Sequence, residues 1–299
     1  MNETVLKVNG LCKSYKHHKV LDNVDMSIQR GDIYGFVGKN GAGKTTLIRI
    51  ISGLTDASKG SFELFGVKSG SKEMDAARKK VCTMVESPAI YPDLSAQDNL
   101  KMQCLITGKS TACIKELLSF VDMAGTGRKK AKDFSLGMRQ RLGIAIALVN
   151  EPELMLLDEP INGLDPKGIK QVRELLLKLH DEKHVTILIS SHILTELSLF
   201  ATRYGFIDHG QIVKEATQEE IRTATEGGCY IEADNPAVAM RELKKLGYDV
   251  VPEENGLRMS TDIDLMRVCD AFAKNNIRLT KHICHNIDLE TYFMNLIGG

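Results

Sequence analysis

The chain has 299 residues, 43% hydrophobic and 26% charged, with 39 basic and 39 acidic side chains that cancel to a net charge of zero. A length of this order accommodates two domains, or one large domain with an accessory piece, and buries a substantial core. Zero balance supplies no global basic field toward nucleic acid, and the longest run without a charged side chain, residues 185–195, falls far short of the ~20 apolar residues of a membrane span. The opening Met1-Asn2-Glu3-Thr4-Val5-Leu6-Lys7 lacks the apolar core of a secretory signal, so a cytoplasmic protein is expected. The 7 cysteines form no CxxC pair and read as buried or incidental thiols of a reducing compartment.

In chain order, Val5-Leu6-Lys7-Val8 and residues 21–28 alternate as strands do. Tyr15, between them, reads either as core packing or as a ring that stacks on a nucleobase. Ile33-Tyr34-Gly35-Phe36-Val37 is a strand and Leu47-Ile48-Arg49-Ile50-Ile51 a helix, which sets Gly38-Lys39-Asn40-Gly41-Ala42-Gly43-Lys44-Thr45-Thr46 at a strand-to-helix turn. That spacing is a phosphate-binding P-loop. Glycines let successive backbone N–H groups converge on one anion, and the following helix adds its positive dipole end. Lys44 would reach the β- and γ-phosphates, and the Thr45 hydroxyl would join a Mg²⁺ shell.

Residues 61–66 alternate as a strand, and Val81-Cys82-Thr83-Met84-Val85 is another, ending at Glu86. Glu86 reads either as a group near Mg²⁺ or its waters, or as a solvated loop carboxylate. Ser95-Ala96-Gln97-Asp98 resembles a capping box and opens a helical stretch over residues 95–150, with a second helix at 113–121. The basic run at 128–132 reads as a solvated face. Ser135 precedes an apolar helix and, with Gly137, makes either an ordinary N-cap or an anion-ready helix start.

Leu154-Met155-Leu156-Leu157-Asp158-Glu159-Pro160 has the continuous apolar run of a strand buried on both faces, delivering two carboxylates to the sheet's C-terminal edge. Asp158 would hold Mg²⁺ through its water shell as the acidic partner of Thr45, and Glu159 would polarise the attacking water. A sharp turn, Asn162-Gly163-Leu164-Asp165-Pro166, leads into a helix over 169–180. Val185-Thr186-Ile187-Leu188-Ile189-Ser190 is a further buried strand that ends in Ser191-His192; His192 reads either as a structural histidine or, ending a core strand as the carboxylates do, as a contact to the γ-phosphate or the water.

Five motifs in this order resemble the nucleotide-binding subunit of ATP-binding-cassette (ABC) transporters, over residues 5–211. The resemblance implies an α/β fold: a RecA-like P-loop NTPase core, a β-rich N-terminal subdomain and a helical insert at about 95–150, together residues 1–215. It implies ATP and Mg²⁺ as cofactors, adenine stacking on Tyr15, Phe134-Ser135-Leu136-Gly137-Met138 as a variant signature loop acting on ATP held by a second subunit, Glu159 as catalytic glutamate and His192 as switch histidine. Asp165 falls in the loop that bridges subunits. Expected partners are a second copy of the cassette and an integral-membrane permease, which places the protein at the inner face of the cell membrane, without nucleic acid. Glu86 stands where most members carry Gln, and Met138 replaces the closing Gln of the signature. With their flanks, these departures are similar to the bacitracin-resistance and lantibiotic-immunity branch of bacterial exporters, so an ATPase driving export of an antimicrobial peptide or other amphiphile is expected. The alternative is a soluble ABC-type ATPase acting on nucleic acid or the ribosome, a class that usually carries two cassettes or a long coiled-coil insertion. Residues 216–299 read as a small α/β accessory domain, with Asn235-Pro236 as a helix start, strands at 248–251 and 257–260, helices at 264–274 and near the end, and no chemistry of their own.

Overall fold

The computed structural model describes all residues except 1, 2, 17, 86, 226, 227, 254, 255, 260–262, 285–287 and 299. The chain divides into two compact units, Met1–Thr217 and Gln218–Gly299.

In the first unit, β1 (Thr4–Tyr15) pairs antiparallel with β2 (His18–Gln29) and with β4 (Lys59–Leu64), and β5 (Val67–Lys68) extends this sheet to the order β2-β1-β4-β5. β1 runs on to Tyr15 because its irregularities are absorbed inside the strand: the register shifts between Val8 and Leu11, around Gly10 at φ 56°. Among the described residues, a second sheet has the order β10-β9-β3-β8-β7-β6. Its members are β3 (Ile33–Val37), β6 (Val81–Met84), β7 (Leu154–Asp158), β8 (Thr186–Ser191), β9 (Arg203–Asp208) and β10 (Gln211–Thr217). β3, β7 and β8 are buried along their whole lengths and run parallel, as their unbroken apolar runs require. Their registers set Val37 beside Ser191 and Asp158 beside Ser190, so three chain segments leave the sheet together at its C-terminal edge.

The helices of this unit are α1 (Lys44–Ile51), α2 (Met74–Arg78), α3 (Ala96–Thr107), α4 (Ile114–Phe120), α5 (Leu136–Leu148), α6 (Pro166–Lys183) and α7 (Leu194–Leu197). α1 buries Leu47, Ile48, Ile50 and Ile51 in a core shared with Leu6, Leu21, Phe36, Leu154 and Leu188. That packing ties the P-loop helix to both sheets. The helical stretch begins as its capping box predicts: Ser95 Oγ accepts from Asp98 N at 3.1 Å and donates to Asp98 Oδ2 at 2.6 Å. α6 is longer at both ends than the predicted 169–180. Asp165 caps it through Gly168 N at 3.1 Å, Pro166 takes the first turn, and His184 ends it in a left-handed conformation.

The second unit holds α8 (Gln218–Thr225), α9 (Pro236–Lys245), α10 (Leu265–Lys274) and α11 (Leu289–Gly298) with a sheet of order β12-β13-β11-β14. The strands are β11 (Cys229–Ala233), β12 (Val250–Glu253), β13 (Gly256–Met259) and β14 (Leu279–Cys284). Ile231, Leu243, Leu257, Met259, Val268 and Phe272 form its core. Asn235 caps α9 through Val238 N at 3.3 Å, and Asp264 caps α10 through Arg267 N at 3.1 Å. The strand expected at 248–251 instead starts at Val250, because Tyr248 closes the turn after α9 with its N–H on Leu243 O.

Candidate functional site

The turn after β3 carries the glycine-rich loop, and Gly43 stands immediately before α1 at φ 111°. A Cβ at Gly43 would sit 2.6 Å from Leu21 Cδ2 and 2.9 Å from Val20 O, and one at Gly38 would meet Ile207 O at 2.5 Å. These two positions therefore accept only glycine. The close fit presses the loop against β2 and β9, and the helix start that follows leaves the N–H groups of Lys44, Thr45 and Thr46 directed out of its end. Replacing Gly43 by Ala is expected to destabilise the fold by about 1–3 kcal/mol, the cost of holding a side chain in a left-handed conformation, before any clash. Thermal unfolding checks it; an unchanged midpoint contradicts the cradle's close packing.

Beside the loop lies a cleft of about 320 Å³, lined by His18, Val20, Asn40, Lys44, Thr45 and Glu159 among others. Lys44 is 5% exposed. Its ammonium donates to Gly38 O at 2.5 Å and Lys39 O at 3.3 Å and stands 3.2 Å from Glu159 Oε1. The Thr45 hydroxyl donates to Asp158 Oδ2 at 2.7 Å, and the Ser190 hydroxyl donates to Asp158 Oδ1 at 2.6 Å. Glu159 has φ 49° and its N–H donates to Ser190 Oγ at 3.0 Å. Its carboxylate spans two partners, with Oε1 toward Lys44 and Oε2 2.8 Å from His192 Nδ1. A helix start and a strand end 113 residues apart in sequence, at Thr45 and Asp158, thus converge on one edge.

The structure sorts the predicted site residues into two groups. Gly38, Asn40, Gly41, Ala42, Gly43, Lys44, Thr45, Thr46, Asp158, Glu159 and His192 belong to the P-loop edge. Tyr15 is 45% exposed at the end of β1, directly paired with His18 of the cleft wall, and Lys13 Nζ lies 4.8 Å from its ring centroid. Ser135, Gly137 and Asp165 form the second group. Ser135 caps α5 by accepting from Met138 N at 3.3 Å. A Cβ on Gly137 would lie 3.6 Å from Gly168 Cα and 3.8 Å from Leu164, so the Ser135 loop adjoins the turn that Asp165 caps. None of the three lines the P-loop cleft among the described residues. Glu86 lies outside the described residues. Sequence reasoning missed His18 and Ser190: a strand's first residue and a strand's penultimate serine carry no signal until the neighbouring strand is known.

A sheet that is parallel from β9 to β6 and whose C-terminal edge bears a glycine cradle, a buried lysine, a hydroxyl–carboxylate pair and a glutamate–histidine pair defines a P-loop ATPase. The ABC transporter family model matches residues 21–162. The bacitracin transport ATP-binding protein BcrA of Bacillus licheniformis is 37% identical, covering 99% of this chain and 98% of that protein. The lantibiotic transport ATP-binding protein SrtF of Streptococcus pyogenes is 42% identical over 71% of this chain and 90% of its own length. Among solved structures, an ATP-binding subunit of an ABC transporter superposes with a TM-score of 0.63 at 28% identity, covering 74% of this chain and 92% of that one. The chain belongs to the ABC transporter family, as an ATP-binding and ATP-hydrolysing subunit. Among the described residues, no helix is long and apolar enough to cross a membrane.

Proposed function

We propose that two copies of this chain enclose two ATP molecules, each between the P-loop of one copy and the Ser135–Gly137 loop of the other, and drive a separate membrane permease. The observation that carries this reading is the division of the site residues: within one copy the Ser135 loop sits with Asp165 and contributes nothing to the cleft that Lys44 lines. A second copy supplies the missing wall.

Residues 1–215 act in this reading as the nucleotide-binding domain, and 216–299 as an accessory domain. Lys44 exchanges its carbonyl and Glu159 partners for β- and γ-phosphate oxygens, while the N–H groups at the start of α1 face the same anion. For Mg²⁺ the donor set fits: the Thr45 hydroxyl and Asp158 carboxylate are hard oxygen donors 2.7 Å apart. When bound, the ion neutralises charge on the phosphate oxygens. Glu159 accepts the proton of the attacking water, and His192 on Oε2 holds that carboxylate toward the γ-phosphate.

Tyr15 stacks on the adenine beside His18. Tyr15→Ala is expected to weaken ATP binding about tenfold, within the 1–3 kcal/mol usual for one base on one ring, while Tyr15→Phe keeps the affinity. Equal affinities in titration calorimetry for the Ala variant and the parent would remove Tyr15 from the site.

The cargo is a peptide antibiotic or similar amphiphile, supported by similarity that runs through both units to the bacitracin transport protein. Expression in a bacitracin-sensitive host with its permease, followed by solubilisation of the membranes, tests partner and cargo together. The reading expects co-purification of a helix-rich membrane protein and raised resistance that Glu159→Gln abolishes. Recovery with ribosomes or nucleic acid instead would favour the soluble alternative.

A further inference from the structure

Ser190 lies on β8 directly beside Asp158 of β7 and is fully buried. Ile187, Leu188 and Ile189 before it are equally buried and apolar. A hydroxyl in such surroundings is costly unless both its donor and acceptor sides are used. Both are used here. The O–H donates to Asp158 Oδ1 at 2.6 Å, and the oxygen accepts from the Glu159 N–H at 3.0 Å. The same N–H also reaches the Ser190 carbonyl at 3.2 Å.

Two consequences follow for the neighbouring carboxylates. Asp158 is gripped at both oxygens by hydroxyls from different elements, Thr45 at the start of α1 and Ser190 at the end of β8, which fixes the plane of its carboxylate. Glu159 follows at φ 49°, a conformation that a non-glycine residue keeps only where its surroundings hold it, and the Ser190 oxygen holds its N–H. Packing alone asks for no hydroxyl at this fully buried strand position. The serine answers instead to the two carboxylates.

We propose that Ser190 is a positioning residue for ATP hydrolysis: it aims Asp158 at Thr45 and the cation, and anchors the backbone turn that delivers Glu159 to the P-loop. The inference rests on the roles given above to Asp158 and Glu159. It assigns Ser190 no contact with nucleotide, so metal-free nucleotide binding should not depend on it.

The test compares the full-length parent with Ser190→Ala, Ser190→Thr and Asp158→Asn. Mn²⁺ is titrated into each protein–ADP complex and followed by electron paramagnetic resonance, and ADP binding is measured separately in EDTA. Ser190→Ala should weaken Mn²⁺ binding about tenfold, the value of one hydrogen bond to a charged group, with ADP binding in EDTA unchanged. In steady-state assays its kcat should fall while KM for ATP holds. Ser190→Thr keeps the hydroxyl and should restore both. Parental Mn²⁺ affinity in Ser190→Ala, or equal weakening in Ser190→Thr, overturns the proposal. If Asp158→Asn leaves Mn²⁺ affinity unchanged, the reading of Asp158 fails and the Ser190 role with it; if only Asp158→Asn weakens it, the Ser190 role alone is wrong.

Discussion

Glu159→Gln should lower ATP turnover by about 10²–10⁴-fold, or roughly 3–5 kcal/mol of barrier, while leaving ATP bound. The amide keeps the size of the side chain but cannot take the proton of water. The change also touches the pairing seen at the site. Oε2 faces His192 Nδ1 at 2.8 Å and Oε1 faces Lys44 Nζ at 3.2 Å, so loss of the negative charge relieves the competition between Glu159 and the phosphates for the Lys44 ammonium. Binding therefore should not weaken, and an ATP-bound dimer should accumulate in size-exclusion chromatography. A variant that keeps more than about a tenth of parental turnover rules Glu159 out as the base.

Lys44→Ala acts on binding. The lysine is buried, and its ammonium is held by two loop carbonyls and a carboxylate on the side of the cleft where the loop's N–H groups converge. Removing it deletes charge-assisted hydrogen bonds worth about 1.5–3 kcal/mol each and leaves the Glu159 carboxylate facing the phosphates without a counter-charge. Affinity for ATP should drop by at least about tenfold to a hundredfold. A fluorescent ATP analogue reads this directly, and unchanged binding would show that the loop's backbone alone holds the phosphates.

Much of this site was legible in the sequence because its signals are local. A buried apolar run that ends in polar side chains, Asp158-Glu159 at the end of β7 and Ser191-His192 at the end of β8, announces a buried parallel strand with chemistry at its end, and both strands are read from their own residues alone. The glycine spacing before Lys44 is a statement about one turn. Capping residues are equally local, and Ser95, Asn235 and Asp264 all start helices where their side chains predict. What escaped depends on neighbours distant in sequence. Ser190 matters because the sheet register sets it beside Asp158, and His18 because the hairpin brings it back to Tyr15 and the cleft. β9 was hidden by Gly205 inside a short strand; the glycine is needed because a Cβ there would lie 2.1 Å from the Tyr34 hydroxyl of the adjacent strand. β14 carries Lys281 and His282, and its pairing with β11 outweighs the weak alternation of both.

The central claim is that each ATP site is completed by a second copy, and mixing two inactive variants tests it most directly. Lys44→Ala removes the phosphate cradle, and Ser135→Arg blocks the signature loop at an exposed helix start. Each variant alone should be inactive. Mixed and reassembled, half-and-half dimers contain one site with an intact P-loop from one chain and an intact signature loop from the other, so ATPase activity should return. A mixture as inactive as its components, despite demonstrated mixed dimers, would show that the Ser135 loop does not serve the partner's nucleotide.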